Sequence, residues 1–222
     1  MSRRPLACDE GRTEVLVRAA TVIAEHGYHG MSMRDLAKAT GRALGSFYHL
    51  FGSKEEILFE LQERAFQQLL ASATAVVQAP GTPAERLHRF VANHVHFFVA
   101  EPAVMRVLVQ EASTLPPKAR GVIRALKQRY FALGESLLAG VAARPSGAPL
   151  EALEIERSTY CMFGMLNWIY GWYEPERHGT PDELARTIFD MTVSGVAGRP
   201  APEPARLALV RPSLLHDRRG RP

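Results

Sequence analysis

Lys54 lies in Ser53-Lys54-Glu55-Glu56, a stretch with the S-x-x-E spacing of a helix-opening capping box. It therefore falls in the first turn of a helix, where the macrodipole disfavours a cation by about 0.3–1 kcal/mol. A nucleic-acid phosphate beside it would turn that cost into a gain. A solvated surface lysine accounts for the same placement. Just upstream, Leu44, Phe47 and Phe51 follow the i, i+3, i+7 spacing of a buried helical stripe, which leaves Arg42, Gly45, Ser46, Tyr48 and His49 facing out. These types hydrogen-bond phosphate oxygens and base edges, so the chemistry they suit is recognition. The sequence contains no G-x-S-x-G, no phosphate-cradling glycine loop, no H-E-x-x-H and no convergent carboxylate pair. It reads as a non-enzyme with no cofactor.

Those residues need a frame, and the local signals supply one. Ser32 has the side chain of an N-cap, with Asp35 at the reciprocal position and Met31 and Leu36 at the spacing of a hydrophobic staple. Gly41 ends that short helix by accepting positive φ. Ala37 is small enough for a second helix, about 43–51, to cross closely. Gly52 stops the second helix and Ser53 opens a third. Upstream, residues 12–26 have a helical pattern with Leu16, Ala19, Ala20 and Ile23 on one face, closed by Gly27, and residues 1–10 read as a mobile arm. Tyr28 reads as core filling.

Downstream the periodicity predicts helices over about 53–78, 83–101, 102–113, 116–143, 150–173 and 181–196, separated by Pro- and Gly-rich breaks. No stretch alternates like a strand. The fold class is all-α with about nine helices. The expected organisation is an arm and helix-turn-helix unit over 1–56, an effector-binding and dimerisation domain over 57–197, and a disordered Pro/Arg-rich tail over 198–222.

Charge sharpens the functional reading. The chain is +4 overall with a pI near 9.3, but residues 198–222 hold six arginines against Glu203 and Asp217, which is the whole excess. Residues 1–197 are balanced, so bulk charge gives no support to nucleic-acid binding, and local geometry must carry it. Cys8 and Cys161 form no C-x-x-C, which fits a reducing compartment. The N-terminus has no apolar signal region, and the apolar run 160–173 is shorter than the roughly 20 residues that span a bilayer. A cytoplasmic, non-membrane protein is expected. His88, His94 and His96 do not share one helical face, so no metal site is expected.

Residues of about 12–60 resemble the DNA-binding domain of TetR-family transcriptional repressors. The likeness rests on an amphipathic first helix ending HGY, then SMRDLAKATG, then GSFYHLFGSKEEIL. The resemblance implies a homodimer joined through about 150–173 and 181–196, with two recognition helices about 34 Å apart on a palindromic duplex operator. By position it implies phosphate contacts from Tyr48 and Lys54, close approach of Gly45 and Ser46, flanking roles for Arg34 and Thr40, and base-edge contacts from Arg42 and His49. The chain departs from the family at Arg42-Ala43-Leu44, where a β-branched residue, then Ser or Thr, then a polar residue is common. Ala43 cannot cap the recognition helix.

The resemblance also implies a small-molecule effector that releases the operator. Residues of the C-terminal helices that suit its pocket are Phe90, His94, Phe98, Met105, Tyr130, Met162, Met165, Asn167 and Trp168. His94 on its apolar stripe fits a satisfied core histidine as well as a ligand contact. The run CMFGMLNWIYGWY reads first as core and interface. Followed by its acidic-polar loop, it is similar to the C-terminal domain of acyl-CoA-responsive TetR-type regulators. Arg106, Arg120, Arg124, Arg129 and Arg157 would be available to CoA phosphates, although solvated faces explain them equally. The alternative reading is a helical protein-interaction adaptor without specific DNA binding.

Overall fold

The structure is a computed structural model that describes residues 6–111, 113–141 and 150–196. Among these the secondary structure is all helical: α1 (Leu6–His26), α2 (Met33–Ala39), α3 (Leu44–Leu50), α4 (Lys54–Gln78), α5 (Pro83–Ala100), α6 (Pro102–Gln110), α7 (Pro117–Val141), α8 (Ala152–Asn167), α9 (Pro175–His178) and α10 (Pro181–Val196). The backbone is helical from Leu6, so the expected arm over 1–10 is corrected for 6–10. The rest of that arm and the 198–222 tail lie outside the described residues. The helix expected over 150–173 stops at Asn167. A 3-10 turn, Ile169–Gly171, and the four-residue α9 follow, in place of one continuous helix and a loop. Pro175 accounts for where α9 begins, since proline suits a first helical turn and not a helix interior.

The turns of the N-terminal unit follow from local chemistry. Ser32 Oγ accepts from the Asp35 N–H at 3.3 Å and Asp35 Oδ2 accepts from the Ser32 N–H at 2.8 Å, a reciprocal capping box. Gly41, at φ +67°, closes α2 with its own N–H on Lys38 O and the Arg42 N–H on Ala37 O, a Schellman turn that satisfies both carbonyls. Ala43 makes no side-chain cap, so α3 begins without one. Ser53 caps α4 through the Glu56 N–H. Glu56 departs from the expected box, however. Its carboxylate accepts from the Gly52 N–H at 2.8 Å, one residue before the cap, while its other oxygen faces Arg12.

Arg12 was not singled out by its sequence context, and it ties the unit together. It is 7% exposed. Its Nε donates to Glu60 Oε1 at 3.2 Å and one amino group to Glu56 Oε1 at 3.1 Å; further bonds run to Glu60 Oε2 and to the Leu50 carbonyl at the end of α3. The guanidinium also lies 4.2 Å over the Phe51 ring. Hydrogen bonding to Glu60 holds its pKa above the ordinary arginine value against the opposing effect of burial.

The body is built around α5, which packs against α4, α7 and α10 and buries Leu87, Phe90, Val91, His94, Val95 and Phe98. Gly134 of α7 lets α5 and α8 approach: a Cβ there would lie 3.1 Å from Phe163 and 3.2 Å from Phe90. α4 runs unbroken from the N-terminal unit into the body, and α6 packs against α1.

Replacing Arg12 by Ala leaves Glu60, whose side chain is only 15% exposed, with the Arg64 ion pair alone, and leaves the Leu50 carbonyl short of a donor. The expected loss is about 2 kcal/mol of unfolding free energy in a denaturant titration. A loss below about 1 kcal/mol would show that the network is not cooperative.

Candidate nucleic-acid interface and effector cavity

α3 presents two faces. Phe47 is fully buried and Leu44 half-buried against the core, while Gly45, Ser46, Tyr48 and His49 are exposed. A cleft between α3 and the N-termini of α2 and α4 brings Arg34, Tyr48 and Lys54 together, and Ser32 and Ser53, the caps of α2 and α4, also line it. Two helix N-termini opening on one cleft favour a bound anion. Lys54 is half-buried, and its Nζ lies 3.5 Å from the carbonyl oxygens of Tyr28 and Met31 and 4.6 Å from the Tyr28 ring. Its charge is thus already offset inside the protein, which neither the phosphate nor the solvated reading anticipated. Thr40 and Arg42 lie outside the cleft. The Thr40 hydroxyl turns back onto Leu36 O and Ala37 O, and the Arg42 guanidinium sits 3.4 Å from Glu14 of α1.

The body encloses a cavity of about 450 Å³ with walls from α4, α5, α6, α7 and α8. Of the residues expected in it, His94, Met105, Tyr130 and Asn167 line it. Phe90, Phe98, Met162, Met165 and Trp168 do not. Phe90 and Phe98 back the wall, with Phe90 5.0 Å from Tyr130 and Phe98 stacked 4.2 Å from His94. Met162 is fully buried and Met165 packs on the core, whereas Trp168 is 60% exposed at the end of α8. Helical spacing identified the apolar faces but not which side of each residue faces a void. Phe66, Leu69, Lys127, Phe131 and Phe163 line the cavity without having been singled out as pocket residues.

Polar groups in that wall are few. His94 Nδ1 is 3.0 Å from Tyr130 Oη, and His94 Nε2 has no partner among the described residues. Burial pushes the imidazole pKa down to about 3, so the ring is neutral, and burial likewise raises the Tyr130 phenol. Lys127 Nζ is 3.5 Å from Leu108 O and 5.2 Å from the Phe66 ring, and burial lowers its pKa. Among the described residues no Asp or Glu lines the cavity.

Comparison with known proteins gives the family. Residues 80–196, more than half the chain, match the model of the "Tetracyclin repressor-like, C-terminal domain", and residues 15–61 match "Bacterial regulatory proteins, tetR family". The chain belongs to the TetR family. The fatty acid metabolism regulator protein of Bacillus subtilis is 23% identical over 185 residues, covering 82% of this chain and 94% of that protein. The structure of the TetR-family transcriptional regulator PfmR from Thermus thermophilus is 30% identical and superposes with a TM-score of 0.70 over 81% of this chain and 96% of that one. The fold of AibR, solved with isovaleryl coenzyme A and operator DNA, matches with a TM-score of 0.71 at 24% identity, over 82% of this chain and 97% of that one. As a TetR-family member, the chain is a ligand-responsive DNA-binding transcriptional repressor. Among its described residues no helix is long and apolar enough to cross a membrane.

His94 sets a pH dependence for this TetR-family fold. Its native pKa is depressed, so between pH 6.5 and about 3 the unfolded chain binds a proton that the native state does not. Stability therefore falls as pH falls through 6.5, by about 2 kcal/mol at pH 5 relative to pH 8. Denaturant titrations at the two pH values should show that loss in the wild type and lack it in His94→Phe. An equal loss in both would assign it elsewhere.

Proposed function

We propose that this TetR-family repressor binds a palindromic operator as a homodimer in the cytoplasm, and that an acyl-type small molecule in the α4–α8 cavity releases it. The reading is carried by one observation: Gly45, Ser46, Tyr48 and His49 form a single exposed face beside the cleft that holds Arg34 and Lys54. Tyr48 and Lys54 would bind phosphate, with Arg34 and Thr40 flanking. His49, and Arg42 once freed from Glu14, would meet base edges. The acyl class draws support from the relatives, one a fatty acid metabolism regulator and one solved with isovaleryl coenzyme A.

The homodimer draws support from apolar side chains left outside. Leu153 and Tyr160, seven residues apart on α8, are 52% and 61% exposed, Trp168 just past its end is 60% exposed, and Met191 of α10 is 61% exposed. A second copy would cover them. Release draws support from α6, which lines the cavity and holds the N-terminal unit. Arg106 donates to Ala24 O at 3.3 Å; just past the helix end, Glu111 accepts from the Tyr28 N–H through its side chain and from Gln62 Nε2 through its carbonyl. A ligand that displaces α6 would disturb these bonds and bias the position of the reading helices.

Two measurements test the reading. Duplexes tiled across the DNA flanking the coding region should include a palindrome that outcompetes random duplex, with affinity falling steeply with salt. Lys54→Ala should reduce the slope of log K against log salt by about 2 per homodimer, and Tyr48→Phe should weaken binding to every sequence. Unchanged affinity in both variants, with the fold intact by thermal unfolding, removes the phosphate roles; no preferred palindrome leaves the adaptor reading. Sedimentation should show a dimer for the wild type and a monomer for Tyr160→Glu combined with Met191→Glu. A monomeric wild type at micromolar concentration ends the homodimer proposal.

A further inference from the structure

The cavity wall holds a hydrogen-bond donor that the protein itself does not use. His94 is 2% exposed and lines the cavity. Its Nδ1 is engaged by Tyr130 Oη, and the other ring nitrogen, Nε2, has no partner among the described residues. The rings packed on it are aromatic, from Phe98, Tyr130 and Phe163, and none brings a charge.

The tautomer follows from counting protons. Tyr130 is 4% exposed, and among the described residues its hydroxyl meets only His94 Nδ1. Were the imidazole proton on Nδ1, the phenol proton would have no acceptor and the Nε2 lone pair no donor, leaving two orphans. With the proton on Nε2, the phenol donates to Nδ1 and a single orphan remains, the Nε2–H. The second donor in the wall, Lys127, stands one helical turn before Tyr130 on α7 and has no carboxylate partner among the described residues. Exposed Gln128 and Asn167 mark the open side of the cavity, and His94 marks its depth.

We infer that the cavity takes an apolar oxo-acyl group: its keto oxygen, remote from the acyl carbon, accepts from His94 Nε2–H, while its carboxylate or thioester end lies toward Lys127 and the exposed rim. A plain alkyl chain would put methyl groups against the unpaired N–H, and such a site discriminates against the analogue that lacks the acceptor. The inference rests on the proposed effector role of this cavity. The free oxo acid and its coenzyme A thioester share the chemistry.

The test is calorimetric titration of the full chain with matched pairs: hexanoate with 5-oxohexanoate, octanoate with 7-oxooctanoate, and decanoate with 9-oxodecanoate, each as free acid and as coenzyme A thioester. The oxo member of at least one pair should bind about tenfold tighter or more than its plain partner. His94→Phe should erase that ratio, while Lys127→Met should weaken the free acids and keep it. Should a variant fail to fold, the wild-type ratio alone decides. Tighter binding among the free acids than among the thioesters identifies the free acid as the source, and the converse identifies the thioester. Equal or weaker binding of every oxo member overturns the inference, as does a preference that survives in His94→Phe. Absence of any binding also overturns it, and if the same sample still selects its palindrome, the regulator reading stands without it.

Discussion

The N-terminal unit depends on one buried cation. Three short helices of 7–21 residues cannot enclose much apolar surface, so their relative placement needs more than hydrophobic contact. Arg12 provides it by reaching from α1 to the last carbonyl of α3 and to two carboxylates on the first turns of α4. The planar guanidinium, with five donors in fixed directions, can serve three acceptors at once, which a lysine ammonium on a flexible stem does less well. Arg64 meets Glu60 from the other side at 2.7 Å, so the carboxylate is neutralised twice. The exposed face of α3, uncapped at Ala43, is presented by this clamp and by Phe47 and Phe51 beneath it.

In the body the same economy of polar groups appears with the opposite outcome. His94 and Tyr130 satisfy each other on one side, and the other nitrogen of His94, which lines the cavity, has no partner among the described residues. Gln62, fully buried on α4, is similar: its Nε2 donates to the Glu111 carbonyl and its Oε1 has no partner among the described residues. Incomplete pairing makes an arrangement easier to shift than a fully bonded one.

What the sequence disclosed was set by range. The caps at Ser32 and Ser53 and the turn at Gly41 depend on partners within five residues, and each was legible. The all-α class was legible for the same reason, whereas the start of α1 at Leu6 was placed about six residues too late. Arg12 was not, because its acceptors lie 38 to 48 residues away. Lys54 was read from the helix it begins, yet its offset comes from carbonyls 26 and 23 residues upstream. Periodicity placed Phe90 and Phe98 on an inward face, and inward is where they are. It could not separate filled interior from the edge of a void, which is why Phe66 and Lys127 line the cavity and those two do not.

The unbroken course of α4 has a mechanical consequence. Its 25 residues carry Lys54 at one end and, 12 to 15 residues on, Phe66 and Leu69 in the cavity wall. At 1.5 Å per residue the lever arm is about 20 Å, so a tilt of about 3° at Leu69 sweeps the Ser53 cap through about 1 Å. That displacement compares with hydrogen-bond tolerances at a phosphate, and in a symmetric pair both arms would move. Under the proposed function, an occupant of modest size would need to unfold nothing and break no helix: a small rotation of one rod would be sufficient to spoil the fit of its far end.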